Sequence, residues 1–145
     1  MSARHKGRKR ALDVVYAADL RGTELTEQLA AERARVDGNV DVAPAVGFAD
    51  ELVSALINHA EQIDQAIETA STGWPIARMP IIDRSILRLA TAELMTQPDT
   101  AVAVVVSEAG KLAGEYSTDD SRGFVQGVLG AIAEKLRASS STREP

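Results

Sequence analysis

The sequence predicts an all-α fold of about seven helices in two packed helical bundles, with no sheet. Three observations carry this. Apolar residues recur at helical spacing through every long segment. The breaks between segments are glycines, prolines and small polar residues suited to caps and turns. The one run whose composition favours a strand, Ala101 to Val106, continues into a helical seam.

Helix 1 is expected from about Lys6 or Arg8 to Leu20, with Leu12, Val15 and Asp19 on one side and Ala11, Val14 and Ala18 adjoining. Gly22 closes it. Lys9, Asp13 and Tyr16 share another strip at i, i+4 and i+7, which leads from a basic start to an aromatic ring. Thr23 is the expected N-cap of a second helix that carries Leu25, Leu29 and Ala30 to about Val36. DGNVDVAPAVG follows, and its glycines, Asp-Gly step and proline predict a loop. From Pro44 a third pattern runs through Phe48, Leu52, Val53, Leu56 and Ile57. After a bend at Asn58 and His59, Ala60, Ile63 and Ile67 give a fourth.

The stretch GWPIARMPIIDRSILRLATAELM, Gly73 to Met95, holds the central helix. Pro80 suits a first turn, where its missing N–H costs nothing, and Asp83 favours the positive end of the helix dipole. Ile82, Ile86, Leu89, Ala90 and Leu94 form a stripe that Ile81 and Leu87 widen. Pro98 and Asp99 end it. In the sixth segment Val102, Val105, Ala109, Leu112 and Tyr116 step along one helical face. Asp119, Asp120 and Ser121 are expected to cap a seventh helix, whose Val125, Val128, Leu129, Ile132 and Leu136 share a face. Gly127 and Gly130 inside it cost about 1 kcal/mol each relative to alanine, so close approach of a neighbouring backbone or a ligand is the expected compensation. Residues 5–138 read as one helical domain, its N-terminal half ending near 71 and its C-terminal half starting near 80. Residues 139–145 read as a disordered tail.

A chain of 145 residues, 45% hydrophobic and 26% charged, suits one soluble domain with a real core. No run approaches the roughly 18 apolar residues of a membrane span, and the charged start has no apolar segment behind it as a secretory signal would. The absence of cysteine excludes disulfide and thiolate chemistry, and a cytoplasmic setting is expected. The net charge of −5 is uneven: Arg4, Lys6, Arg8, Lys9 and Arg10 put +5 on the first ten residues and leave −10 on the rest. Polyanion affinity is therefore concentrated in a basic arm, residues 1–10, expected to bury little of the core.

No catalytic pattern emerges. There is no phosphate-binding glycine loop, no nucleophile elbow and no zinc-protease helix, and neither His5 nor His59 has a second ligand nearby. Catalytic residues, metal and cofactor are all expected to be none, with His59 a surface or cap residue. Asp83, Arg84 and Arg88 offer an acid and two bases at the start of the central helix. They suit local support or, through the guanidinium fork, a docking surface for another protein. Two binding readings remain: an RNA-binding adaptor using the basic arm, or a protein-interaction scaffold or homodimer that binds no RNA. The adaptor needs residues 4–10 beside an aromatic ring and a helix N-terminus.

DRSILRLATAEL, then VVVSEAGKLAGEY, then DDSRGFVQGVLGAI resemble the NusB family in order and spacing, closely over the C-terminal half, with the basic start and the Ala11 to Tyr16 step as markers before it. The resemblance implies an all-helical, non-enzymatic bacterial transcription antitermination factor. Its expected partners are boxA RNA, the ribosomal protein NusE and the RNA polymerase antitermination complex, notably in ribosomal RNA operons, with no membrane involved. Position by position it implies RNA binding at Arg4, Lys6, Arg8, Lys9, Arg10, Tyr16, Asp120, Ser121, Arg122, Phe124 and Gln126, and partner binding at Asp83, Arg84 and Arg88. The chain departs from the family pattern at Ala92, Ser107, Gly123 and Gln126, where the family usually has tyrosine, asparagine, a basic residue and asparagine.

Overall fold

Among the described residues the chain forms seven α-helices and one 3-10 turn, and no strand. The computed structural model describes residues 2–36 and 43–141, the last four of these in backbone only. The helices are α1 (Ala3–Arg21), α2 (Leu25–Val36), α3 (Ala43–Asn58), α4 (Ala60–Ala70), α5 (Ile81–Thr96), α6 (Val102–Tyr116) and α7 (Asp119–Ser141), with the 3-10 turn Ile76–Arg78 before α5. The Ala101–Val106 run is helical from Val102, so periodicity outweighs β-branched composition. Most of the expected DGNVDVAPAVG loop lies outside the described residues, and its end is already α3.

α5 is the axis. It packs against α1, α3, α4, α6 and α7. From Asp83 to Leu94 every residue is buried except Arg84 and Arg88, so the helix is surrounded and not merely striped. One hydrophobic cluster runs through the fold, from Leu12 and Val15 of α1 through Leu52, Ile63, Ile67 and Leu87 to Val105, Val125 and Leu129.

Several ends differ from expectation for local reasons. Gly22 closes α1 at φ 69° and donates to Ala18 O, but the Thr23 N–H joins it on the same carbonyl at 3.0 Å. Thr23 thus belongs to the end of α1 and is not the cap of α2. At α7 the cap is Thr118: its Oγ1 accepts from Ser121 N at 3.1 Å while Ser121 Oγ accepts from Thr118 N at 3.4 Å. This reciprocal pair resembles a capping box, and it puts Asp119, Asp120 and Ser121 inside the first turn. His59 marks the expected break between α3 and α4, its carbonyl accepting from Ile63 N. The backbone of 139–141 continues α7, and 142–145, the rest of the expected tail, lie outside the described residues.

The close backbone approach expected at Gly127 and Gly130 occurs elsewhere, and both positions are open to a ligand. A Cβ at either would meet nothing within 4 Å. At Gly7 it would lie 2.9 Å from Ala45 O, and at Gly110 2.3 Å from the Gln126 amide. These glycines let α1 settle on α3 and let Gln126 lie across α6.

Candidate nucleic-acid and partner interfaces

The basic start is not a loose arm. Ser2 caps α1 by accepting from His5 N at 3.1 Å, and the helix is packed from its first turns, with Gly7 and Arg8 buried. Arg8 forks onto Glu93 of α5, Nε to Oε1 at 2.9 Å and a terminal nitrogen to Oε2 at 2.6 Å. Desolvation is the largest influence on this guanidinium and opposes its charge. The Glu93 hydrogen bonds and the charges of Glu93 and Glu108 outweigh it and leave the pKa raised. Arg4 donates to Thr100 Oγ1 at 2.8 Å and lies 5.2 Å over the Phe48 ring, Arg10 reaches Glu32 at 3.3 Å, and His5 Nδ1 sits 2.6 Å from Glu108. Of the five expected cations, Arg4, Lys6 and Lys9 are exposed without an ion pair among the described residues, Arg4 being held against Thr100 and Phe48.

Lys9 leads to the far side of the interface. Its ammonium stands 5.6 Å over the Tyr116 ring at the end of α6. The nearby Tyr116 side chain, and then the charges of Glu115 and Asp13, hold the Lys9 pKa above its ordinary value. Arg122 of α7 passes Gly114, its Cδ 3.7 Å from where a Cβ would stand, and is exposed. Lys9 of α1 thus meets an aromatic ring just before the N-terminus of α7. Tyr116, 38% exposed, was not among the expected residues; its place in the apolar seam hid it.

The other expected residues divide. Asp120 is exposed and Tyr16 half-buried, while Gln126 is taken up with Gly110. Phe124 is half-buried beneath Trp74, their ring centroids 4.7 Å apart and tilted by 52°. Ser121, expected at the RNA surface, is buried instead: its Oγ donates to Asp83 Oδ2 at 2.8 Å.

Asp83 itself is 2% exposed and presents nothing to a partner. It lies in the first turn of α5 and accepts from the Ser121 hydroxyl in the first turn of α7, so the contact joins the starts of the two helices. Its Oδ1 has no hydrogen-bond partner among the described residues. Arg84 forks onto Asp19 of α1 at 2.6 and 2.7 Å, and Arg88 onto Asp64 of α4 at 2.9 and 3.1 Å, with a further approach to Asp19 at 3.6 Å. Hydrogen bonding from Arg84 holds the Asp19 carboxyl below its ordinary pKa. The local-support reading therefore describes these arginines. They tie α1, α4 and α5 together beside an open groove of about 500 Å³ lined by Ala18, Leu25, Leu56, Ile57 and Asp64.

Among the described residues no group of His, Asp or Glu could hold a metal ion, and no helix is long and apolar enough to cross a membrane.

Residues 5–134 match the sequence model of the NusB family. The transcription antitermination protein NusB of Clavibacter sepedonicus is 44% identical over 133 residues, 92% of this chain and 97% of that protein. Among solved structures, NusB of T. maritima superimposes with a TM-score of 0.81 at 26% identity, covering 93% of both chains. A chain in the crystal structure of antitermination factors NusB and NusE in complex with dsRNA gives 0.79 at 30% identity, covering 93% of this chain and 98% of that one.

Proposed function

The chain belongs to the NusB family of transcription antitermination proteins, which are not enzymes, and from that premise we propose that it binds boxA-type single-stranded RNA together with NusE. Bound so, it keeps RNA polymerase elongating, notably in ribosomal RNA operons, and works in the cytoplasm. The observation that carries the RNA half is the placement of Lys9 over Tyr116, with Arg122 across the neighbouring Gly114. Cations on a rigid helix beside an exposed ring suit an unpaired strand, since the phosphates meet charge and a base meets a π-face.

The NusE half rests on family membership and on the relative solved with NusE and dsRNA. Arg84 and Arg88 keep some exposure at the edge of the groove beside α1 and α4, and Asp83 contributes by holding α5 to α7. The experiment is fluorescence anisotropy of labelled boxA-type RNA titrated with the protein, with and without NusE. Binding that tightens when NusE is present is expected. No RNA binding in either condition would leave the scaffold or homodimer reading in its place.

A further inference from the structure

Trp74 is one of four large apolar side chains that stand exposed in the described structure, at 37%, and it rests on Phe124, the aromatic expected at the RNA surface. Its position is fixed before any ligand arrives. Trp74 N donates to Ser71 O at 3.2 Å, Ser71 Oγ donates to Trp74 O at 3.0 Å, and Gly73 turns the chain at φ 82°, where a side chain would be strained.

The two sides of α7 differ in chemistry. Arg122 and Gln126 lean toward α6, whose last residue, Tyr116, carries the Lys9 cation over its ring. Asp120, Phe124 and Gly127 share the other strip, at i, i+4 and i+7, with Trp74 over its aromatic. That strip carries a carboxylate and no cation, so it repels a phosphate but can accept hydrogen bonds from the amino group of a base. Between the two sides Gly123 leaves open space where a Cβ would stand, so a strand can cross the helix there.

We propose that Trp74, backed by Phe124, is a stacking subsite for one unpaired nucleobase of single-stranded RNA, with Asp120 one turn away accepting from the amino edge of that base. The subsite rests on the RNA-binding reading and extends it: phosphates are held on the Lys9 and Arg122 side, and a base is placed on the Trp74 side. A protein ligand is less suited, because the aromatic pair is small and lies beside bare glycines that give a partner side chain nothing to grip.

Trp74 is the chain's single tryptophan, so its fluorescence reports the subsite directly. BoxA-type RNA should quench it along the same isotherm that anisotropy records, and the same strand with abasic positions should bind with little quenching. Trp74→Ala should weaken RNA binding by about fivefold to a hundredfold, the range for loss of one stacked base, without changing the salt slope. Trp74→Phe keeps a π-face and should recover most of that loss, which separates stacking from any effect on folding. If RNA binds to wild type and Trp74→Ala alike, with no quenching, the subsite is wrong and the proposed function stands. If wild type binds no RNA, both fall. If the tryptophan responds to NusE alone and not to RNA, the surface is a protein contact and this assignment is overturned.

Discussion

The Arg8 guanidinium and the Glu93 carboxylate face each other through two hydrogen bonds, at 2.9 and 2.6 Å, with side chains 8% and 2% exposed. The pair joins α1 to the central helix at a point where neither charge reaches water. Isolating one member leaves an uncompensated buried charge, which costs about 3 to 5 kcal/mol, far more than a surface pair. Glu93→Ala should therefore lower the unfolding free energy by about that amount. Chemical denaturation checks it. A loss under about 1 kcal/mol, the scale of exposed pairs, would show that water reaches Arg8 and that the basic helix start lifts readily from the fold.

The Arg84–Asp19 pair gives a pH dependence whose direction follows from the depressed Asp19 pKa. Because the folded-state value lies below the unfolded value of about 3.8, the contribution is fully present above the unfolded pKa and is lost as pH falls through the folded one. Asp19→Asn removes the charge and with it this acid-side loss. The difference in stability between wild type and Asp19→Asn should be constant from pH 7 to about 5 and shrink below about 4. Melting curves across that range measure it. A difference that grows toward low pH would reverse the sign and exclude the pair as its source.

The helices were legible because their apolar spacing is strong, and the α5 stripe, the α6 seam and the bend at His59 all lie where the spacing put them. Side-chain partners were harder, because they are set by packing between distant segments. Arg8 shows the limit. Counted as a free cation, it nevertheless stands one turn before Leu12 and two before Val15 on the buried face, and Glu93 is the only acid in the apolar run from Ser85 to Met95. Those two positions were signals that charge counting passed over. The burial of Asp83 is hidden from the sequence for a related reason. A helix-start acid normally faces water, and nothing local shows that the first turn of α7, 38 residues on, closes over it. Trp74 carried no functional pattern, and Tyr116 stood only as the end of the VVVSEAGKLAGEY stretch and its apolar seam. Their significance comes only from the Phe124 and Lys9 side chains that the fold brings to them.

The division of the basic start into cations engaged by neighbouring side chains and cations that face outward fixes the electrolyte dependence of RNA binding. Counted along the sequence, five cations would contact about five phosphates, and at about 0.7 per phosphate on a single strand the log–log salt slope would be about −3.5. Arg8 and Arg10 are paired with Glu93 and Glu32, and Arg4, though exposed, is held by Thr100 and the Phe48 ring, while Lys6, Lys9 and Arg122 stay outward without an ion pair among the described residues. Three contacts predict a slope of about −2. Lys6→Ala and Lys9→Ala should each reduce its magnitude by about 0.7, whereas Arg8→Ala should leave the slope unchanged and lower stability. Deleting residues 2–10 should then abolish cooperative unfolding of the native kind, since it removes the Gly7 contact with α3 and strands Glu93. The measurement is RNA affinity over a potassium chloride series for each variant, beside a denaturation curve. A wild-type slope near −3.5, with the deletion still folding cooperatively, would mean that the start of α1 peels away and binds as a free arm, and the ion pairs seen here would not govern the RNA-bound state.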